Sequence, residues 1–391
     1  EKKYLKEVYE RRERIRDLAD VEGLNPASTT QLRSLLYDDW NLLPHLAHKM
    51  KAKDYMTDSG EPSTGDDVMR ALLTIPILTD QQRAVLENIR LFRRSQKMLG
   101  TYVTKLRYSN EDINPWEGYD EEDDWVTKEM REKYGLKKKG IVDPATHRMY
   151  PGYNVHVTVS GRLSSSSPIN AQNFPNHLRA MVVASPGNVL VGADMDQLEL
   201  RIAASRWQSE KYLEAFENGL DPHSSVTAHA VFGERFEKMA IDCGVGGYPW
   251  KTGTKFKGDA KKLRNLSKAI QYASQYWASV ETVHRLITQT EVDNGDGTTS
   301  LPYLSLSMRE VRLMHKKWCE GAKFDKGWER ELTSYRRNGF LSEPVMHRRR
   351  DFLDGENLNE IVNFPIQAAA SSLMNRALIQ LREAIPPHKW G

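Results

Sequence analysis

The stretch VLVGADMDQLELRIAAS, residues 189–205, joins an apolar run to a helical pattern through closely spaced acids. The run at 189–191 follows the turn-forming sequence PGN and predicts a buried strand. Asp194 stands where that strand would end. An ionised carboxylate near a core needs a partner, and a divalent cation is a natural one. A capping role for Asp194 at the start of the following helix is the alternative.

Length and composition set broad limits on the kind of protein. The 391 residues predict two or three domains, and a hydrophobic content of 39% is enough for real cores. Cys243 and Cys319 are too few for a disulfide framework and lack zinc-ligand spacing, which favours a reducing compartment. No apolar run approaches the ~18 residues that a membrane span needs. The net charge of +3 does not decide for or against a nucleic-acid partner.

A second informative stretch is RNLSKAIQYASQYW, in which Arg264, Lys268, Tyr272 and Tyr276 are four residues apart. In a helix they form one stripe, with ~12 Å between the first and the third. Two cations followed by two aromatic rings fit a nucleoside triphosphate lying along the helix. A solvated basic face that continues into a core aromatic face is the alternative.

A third informative stretch carries polar side chains suited to DNA. SGRLSSSSPINAQNFPNHLR contains Arg162, Asn170, Gln172, Asn173 and Arg179 in a loop too polar to form a core. Arginine with asparagine and glutamine is the usual combination for phosphates and base edges, although an ordinary polar loop is the alternative.

The last informative stretch is NEIVNFPIQAAASSLMNRAL. Asn363 and Gln367 flank a proline that is predicted to open a helix, and a cluster of positive charge, HRRRDF, precedes it at 347–352.

The remaining pattern is mainly helical. Amphipathic or capped helices are predicted at 1–20, from a cap at Ser28, from a cap at Ser63 or Thr64, and over 81–108. Short β-type runs are predicted between 150 and 183, and helices dominate from 206 to 384. The charge-dense segment 119–140 is predicted to be a solvated loop.

Five stretches, in this order along the chain, resemble the motifs of family A DNA polymerases, the DNA polymerase I type. SGRLSSSSPINAQNFP is similar to TGRLSS…PNLQNIP, GADMDQLELR to DYSQIELR, and DPHSSVTAHAVF to DIH…TA. RNLSKAIQYASQYW is similar to RxxxKxxxF/YxxxY, and NFPIQAAASSL to NxPIQG. NPASTTQLRSLL and EPSTGDDVMRALL resemble the thumb. The divergent forms of these motifs resemble those of phage enzymes.

The resemblance implies an α+β, right-hand fold with a helical thumb, an antiparallel-sheet palm and helical fingers. The thumb with its leading helix is expected at 1–110, and the first part of the palm, with the template–primer loop and the metal-binding acid, at 111–205. The fingers are expected at 206–335 and the second part of the palm at 336–391.

The resemblance also implies roles for individual residues. Asp194 and the Met195 carbonyl would bind two Mg²⁺ ions, for which Mn²⁺ can substitute. Arg264 and Lys268 would act on the triphosphate as catalytic residues together with Asp194. The remaining nucleotide contacts would be His223, Tyr272, Gln197 and Glu199, the last of these blocking a ribose 2′-hydroxyl. The DNA contacts would be Arg162, Asn170, Gln172, Arg179, Arg201, Tyr276, Asn363 and Gln367, with Tyr276 at the templating base.

The chain departs from the family pattern at several positions. Met195 and Asp196 replace a Tyr-Ser pair, Trp277 and Ala368 each replace a glycine, and Asn359 replaces an arginine. The His-Asp-Glu motif that carries the second metal-binding acid does not occur in the sequence. Three explanations stay open: the chain is a fragment, it is the large part of a split enzyme completed by a small second chain, or it is an inert DNA-binding remnant. Replacement of the missing acid by Asp196 is disfavoured, because two residues along a strand are ~6.5 Å apart.

The predicted function is therefore template-directed addition of dNMP to a primer 3′ end, with primer–template DNA and dNTPs as partners and no membrane. The expected location is the cytoplasm, that of the host if the gene is from a phage, and an organelle is not excluded. A single-subunit RNA polymerase and a non-catalytic primer–template-binding subunit are the alternatives. Glu199 argues against the RNA polymerase, because its bulky side chain would exclude the 2′-hydroxyl of a ribonucleotide.

Overall fold

The computed structural model describes residues 2–386 except 49, 51, 108, 110–139, 291, 294–298, 301, 304 and 353–356. The chain forms two compact units. Unit 1 consists of Glu1–Asn154 and Ser165–Arg179, and unit 2 of Val155–Ser164 and Ala180–Gly391. The charge-dense segment expected to be a solvated loop falls almost wholly outside the described residues. The thumb, palm and finger boundaries stay a prediction.

Unit 1 is helical where the sequence is amphipathic. Leu5, Val8 and Ile15 of the leading helix are buried, and this helix packs against the longest helix of the unit. The predicted leading helix is confirmed. The helices are α1 Lys2–Ala19, α2 Thr29–Arg33, α3 Leu43–Ala47, α4 Ala52–Tyr55, α5 Asp66–Leu73 and α6 Asp80–Thr101, with a π-helical turn at Ser34–Asp39 and 3₁₀ turns at Val103–Lys105 and Ala171–Asn173.

The ends of these helices test the predicted caps. Ser28 caps α2 as predicted, its hydroxyl accepting from the Gln31 N–H at 3.3 Å. The cap expected at Ser63 or Thr64 is wrong: Gly65 occupies the N-cap of α5, and the Ser63 hydroxyl accepts from the Gly65 N–H instead. The predicted helix over 81–108 ends early, at Thr101, because glycine and β-branched residues follow one another at its end.

Unit 2 contains most of the remaining helices. They are α7 Leu198–Trp207, α8 Glu210–Glu217, α9 His229–Phe232, α10 Glu234–Asp242, α11 Gly258–Gln275, α12 Val280–Thr288, α13 Met308–Ala322, α14 Asp325–Asn338 and α15 Leu358–Ala384, with a π-helical segment at Pro222–Ala228. A 3₁₀ segment at Asn176–Met181 lies where the chain passes from unit 1 to unit 2. Helices thus dominate from 206 to 384, as predicted.

The strands are short and paired two by two. They are β1 Tyr153–Asn154, β2 Ser164–Ser165, β3 Val292–Asp293, β4 Thr299–Ser300, β5 Phe340–Ser342 and β6 Arg349–Asp351. The pairs are β1 with β2, β3 with β4 and β5 with β6. The β3–β4 and β5–β6 pairs are antiparallel, the latter with Phe340 opposite Asp351. A helix-rich α+β fold with small antiparallel sheets is therefore confirmed.

The strand predicted at 189–191 is wrong. These residues have no regular structure, and Val189 and Val191 are 81% and 86% exposed. A strand holds its shape only when its backbone groups pair with a neighbour. No backbone hydrogen bond joins 189–193 to any other described residue. The apolar pattern alone predicted the strand, but the described residues supply no partner for it.

The helix predicted to open at the proline of NFPIQ begins earlier. Asn357 caps α15 through the Asn359 N–H, so Pro365 lies inside the helix. Proline cannot donate to the carbonyl four residues before it, which weakens an isolated helix at this point. Ile361, Val362 and Ile366 around it are buried in the core, so tertiary packing overrides the local preference.

Aromatic rings and one buried ion pair form the centre of unit 2. Trp207 packs edge-on against Phe324 and Trp328, and an added Cβ at Gly327 would lie 2.2 Å from Trp207 Cγ. The carboxylate of Glu331, 5% exposed, accepts from Nε and Nη2 on one edge of the Arg206 guanidinium and from the Trp207 indole N–H. These contacts fix α14 against the C-terminal end of α7.

Among the described residues, no helix combines the length and the apolar character that crossing a membrane requires.

Candidate active site

Helix α11 presents the predicted row of cations and aromatic rings. Arg264, Lys268 and Tyr272 lie on it at intervals of four, and Tyr276 is its C-cap residue. The Lys268 Nζ lies 5.6 Å from the centre of the Tyr272 ring. Lys268 is half-buried and Tyr272 is 50% exposed, so both side chains are accessible to a ligand.

The acids of the loop before α7 act on the same tyrosine. Burial raises the pKa of Tyr272, and the charges of Asp196 and Asp194 raise it further, while Arg264 lowers it. Both carboxylates are exposed. The charges of two acids and of Arg264 thus act on one tyrosine in unit 2, although residues 189–191 do not form the strand expected to precede Asp194.

Gln197 connects this loop to α7. It has a left-handed backbone (φ 55°) and occupies the N-cap of the helix. Its side-chain Oε1 is buried and has no hydrogen-bond partner among the described residues. A buried acceptor without a partner costs about 1–3 kcal/mol, so a ligand or water that donates to it would be stabilised here.

The carboxylate of Glu199 has two partners. It lies in the first turn of α7, accepts a hydrogen bond from the Tyr276 hydroxyl and forms an ion pair with Arg162. Burial raises the pKa of Tyr276, which keeps this hydroxyl protonated and able to donate. The carboxylate is therefore held in place at the C-terminal end of α11.

Asp221, for which no role was predicted from the sequence, holds Arg264. Its two oxygens accept from the Arg264 guanidinium at 2.8 and 2.9 Å, and one also accepts from the Ser224 N–H at 3.1 Å. Burial alone would raise the pKa of Asp221, but the hydrogen bonds from Arg264 and Ser224 outweigh it, and the pKa is lowered. The side chain is 3% exposed, so this bond is shielded from solvent.

His223 is neutral at physiological pH. Its ring lies 5.8 Å from that of Tyr272 and is 3% exposed. Burial lowers its pKa to about 4; Arg264 and Lys268 add to the effect, and Asp221 opposes it. Its Nδ1 has no partner among the described residues. The ring can therefore offer a hydrogen bond to a nucleotide but not a positive charge.

Arg201 was expected to contact DNA, but its side chain contacts other residues of unit 2. Its Nε donates to the Asp196 carbonyl at 3.0 Å, and its guanidinium lies 4.2 Å from the centre of the Phe216 ring. These contacts hold the backbone of the acid-bearing loop.

The other predicted DNA contacts of unit 2 lie on or beside α15. Asn363 and Gln367 are one helical turn apart and half-buried, and the Asn363 Oδ1 has no partner among the described residues. Asn375 of the same helix donates to the Gly161 carbonyl at 3.5 Å, next to Arg162. A side chain at Gly161 would clash with the Arg348 guanidinium, because a Cβ added at Gly161 would lie 2.5 Å from Arg348 Cζ.

Asn170, Gln172 and Arg179 belong to unit 1. Asn170 caps a 3₁₀ turn by accepting from the Asn173 N–H at 3.1 Å, and Arg179 donates to the Phe174 carbonyl at 3.3 Å. Gln172 is exposed. Asn170 and Arg179 therefore also order their own loop through hydrogen bonds to its backbone.

The residues present fit a magnesium ion only in part. No group of three or more His, Cys, Asp or Glu side chains in the described part of the chain could hold a metal. Magnesium, however, is usually held by one or two carboxylates together with substrate phosphates and water. The exposed carboxylate of Asp194 meets that minimal requirement, and Met195 beside it is half-buried.

Comparison with known proteins agrees with the motifs and the fold. The model of "DNA polymerase family A" matches residues 125–390. The chain belongs to DNA polymerase family A.

Several relatives in this family match most of the chain. It is 27% identical over 370 residues to DNA polymerase I of Pseudomonas aeruginosa, covering 93% of this chain and 32% of that protein. It is 23% identical over 385 residues to a DNA polymerase of Bacillus phage SP01, covering 93% and 33%. The chain thus spans about one third of the length of these curated relatives.

A solved structure has the same fold. The polymerase domain of Pol1 from M. smegmatis, in complex with DNA primer-template and dNTP, superposes with a TM-score of 0.66. The match covers 98% of this chain and 55% of that one, at 20% identity.

Proposed function

We propose that this family A chain catalyses template-directed addition of dNMP to a primer 3′ end. The observation that carries the proposal is that the charges of Asp194 and Asp196 raise the pKa of Tyr272, which lies on the Arg264–Lys268–Tyr272 face of α11 with the Lys268 Nζ 5.6 Å from its ring centre. Opposite charges brought to one accessible ring suit a metal-bound triphosphate. The relatives named above are DNA polymerases, and the Pol1 neighbour binds primer-template and dNTP.

In this proposal the cations of α11 bind the triphosphate. Lys268 acts as a point charge, and Arg264, aimed by Asp221, offers a planar fork of donors. His223 donates a hydrogen bond as a neutral ring. Tyr272 packs against the sugar and base. Preorganised donors of this kind stabilise the charge that develops on a phosphoryl group during transfer.

Asp194 is the proposed metal ligand, with the Met195 carbonyl beside it. Two bound Mg²⁺ ions would activate the primer hydroxyl and neutralise the triphosphate. Arg201 holds the backbone of the loop that carries these ligands through the Asp196 carbonyl, and Gln197, a nucleotide contact predicted from the sequence, follows as the N-cap residue of α7.

The proposed DNA contacts are those predicted from the sequence except Arg201, whose side chain is engaged within unit 2. In unit 2 they are Arg162, Asn363 and Gln367. In unit 1 they are Asn170, Gln172 and Arg179. The minor groove shows acceptor positions shared by all base pairs, so amide and arginine donors can bind there without reading sequence. Tyr276 would lie at the templating base.

The direct test is primer extension. With Mg²⁺ and a primer–template, the protein is expected to incorporate the complementary dNMP and reject the other three. Incorporation that ignores the template would contradict the proposal, and so would DNA binding without incorporation under every condition, including addition of the second-acid segment described below.

Removal of the Glu199 side chain tests the choice of sugar. Glu199→Ala is expected to raise incorporation of rNTP relative to dNTP by roughly a hundredfold, because the bulk that meets the 2′-hydroxyl is gone. Single-nucleotide kcat/KM values for both sugars measure the effect.

Tyr276→Phe is the matched control for this change. It removes one hydrogen bond to the carboxylate but leaves the carboxylate in place, so a much smaller rise is expected. Efficient use of rNTP by the unaltered protein would instead favour the RNA polymerase alternative.

Replacement of Asp221 tests whether it aims Arg264. Asp221→Asn is expected to raise the KM for dNTP roughly tenfold with little change in kcat, because one charge-assisted hydrogen bond to the guanidinium is lost. Asp259→Asn, an exposed aspartate in the first turn of the same helix, is the control. An unchanged or lower KM in Asp221→Asn would contradict this role.

A second acid is expected to come from a β-segment outside the described residues. The exposed apolar residues 189–191, without backbone hydrogen bonds to the rest of the described chain, suit pairing with such a segment. Hydrogen exchange at 189–194 is expected to slow when the segment is supplied, and extension to rise. DNA binding without extension under every such condition would favour a non-catalytic binding subunit.

A further inference from the structure

A cavity on the outer side of α14 belongs to no role described so far. Its volume is about 820 Å³, and it is formed by the ends of α7 and α13, the start of α8, and α14. Four cations line it: Lys323, Lys326, Arg330 and Arg337. The hydroxyls of Thr333 and Ser334 lie between them in sequence.

The cations form a stripe along the helix. Lys326, Arg330, Thr333 and Arg337 are separated by four, three and four residues, which places them on one face over ~16 Å. The opposite face, with Trp328, is buried in the core of unit 2. Packing of α14 therefore leaves this charged face exposed along its whole length.

These charges are not neutralised within the described protein. None of the four forms an ion pair with a described carboxylate; Arg330 donates to the Arg206 carbonyl at 3.1 Å, and Arg337 to the Asn338 side chain. Glu210 and Glu329 also line the cavity. The net charge of the lining residues is therefore still positive, but two acids lie among the four cations. Separated cations suit a ligand with separated phosphates better than a compact triphosphate.

The cavity lies within reach of the proposed templating position. Trp328, on the buried face of α14, stacks on Trp277 with ring centres 6.3 Å apart, and Trp277 follows Tyr276 directly. Helix α7 carries Glu199 in its first turn and ends at Trp207 in the cavity wall, ~12 Å further along. A strand leaving Tyr276 needs only a few nucleotides to arrive here.

We infer that this cavity binds the phosphodiester backbone of the single-stranded template ahead of the templating base. The inference rests on the proposed function. Trp207, the aromatic residue in its wall, is 2% exposed, so bases have no ring to stack on. Binding is therefore to the backbone, independent of sequence and sensitive to salt.

The test compares primer–templates that differ only in the unpaired 5′ template end, roughly 12 nucleotides against about two. The unaltered protein is expected to bind the long form about tenfold more tightly at low salt. The combined variant Lys326→Ala, Arg330→Ala and Arg337→Ala is expected to lose this gain and to bind the short form normally. Its salt slope on the long form should fall by roughly 0.7 for each contact removed.

Two controls make the result specific. Arg235→Ala, Lys238→Ala and Lys316→Ala combined removes equal charge from exposed sites outside the cavity and is expected to keep the gain. The double variant Lys326→Ala and Arg337→Ala, which leaves the Arg330–Arg206 hydrogen bond intact, guards against a folding defect in the triple variant.

Three results would overturn the inference: no gain in the unaltered protein, a gain retained by both cavity variants, or an equal gain from an unpaired 3′ tail of the same length. Failure to bind either primer–template would instead contradict the proposed function itself.

Discussion

Asp194→Ala is expected to reduce primer extension at least about a thousandfold while leaving DNA affinity nearly unchanged. Asp194 is exposed on a loop without regular structure, so its loss removes no core contact. It does remove the proposed ligand of both metal ions, and the triphosphate then loses its charge compensation. Single-turnover extension and equilibrium DNA binding, measured on the same preparation, separate chemistry from folding.

Asp196→Ala is the matched comparison. This acid is two residues away and also exposed, and its charge raises the pKa of Tyr272 more than the charge of Asp194 does. It is expected to keep extension within about tenfold of normal, since a carboxylate that merely adds to the field is worth about 1 kcal/mol. Equal losses in both variants would mean that Asp196 supplies the second metal ligand. Full activity in Asp194→Ala would remove the metal role from Asp194.

Glu331→Ala is expected to destabilise the protein by about 3–5 kcal/mol. The change leaves the Arg206 guanidinium and the Trp207 indole N–H without their acceptor in a region with little access to solvent. A buried charge without a partner costs more than the pair contributes. Urea unfolding, followed by tryptophan fluorescence, measures the loss.

Glu329→Ala, two residues earlier on α14, is the control for Glu331→Ala. Its side chain is exposed and lies in no ion pair with the described residues, so a change within about 0.5 kcal/mol is expected. A comparable loss in both variants would show that the helix, rather than the buried pair, is responsible.

Periodic features were predictable from the sequence. The four-residue spacing of Arg264, Lys268 and Tyr272 defines a helix face whatever the surroundings, and α11 has that face. The burial of Leu5 and Ile15 follows from the same rule in α1. Such patterns depend on neighbours within two turns of a helix, which the sequence states directly.

Features that depend on distant partners were not predictable. Residues 189–191 have the composition of a strand, but a strand also needs a neighbouring strand, and none is described. The Asp221–Arg264 bond joins residues 43 apart in the sequence. An Asp before Pro-His indicates a cap, and Asp221 does accept from the Ser224 N–H, but the arginine comes to it only through packing of α11.

The start of α15 shows that packing with distant residues can also override a local preference. Pro365 carries a strong local preference against a helix interior, yet the buried residues around it hold the helix together from Leu358 onward. The resemblance also implies a place for Glu199 near the nucleotide, and this stays a prediction. Its hydrogen bond from Tyr276 and its ion pair with Arg162 could be found only in the structure.

The most direct test of the account is a crystal structure of the protein with primer–template, a non-hydrolysable dNTP and Mn²⁺, with anomalous data collected at the manganese edge. The account predicts a manganese peak bound by Asp194, with the triphosphate between it and the side chains of Arg264 and Lys268. A triphosphate bound away from α11, or manganese bound without Asp194, would contradict it.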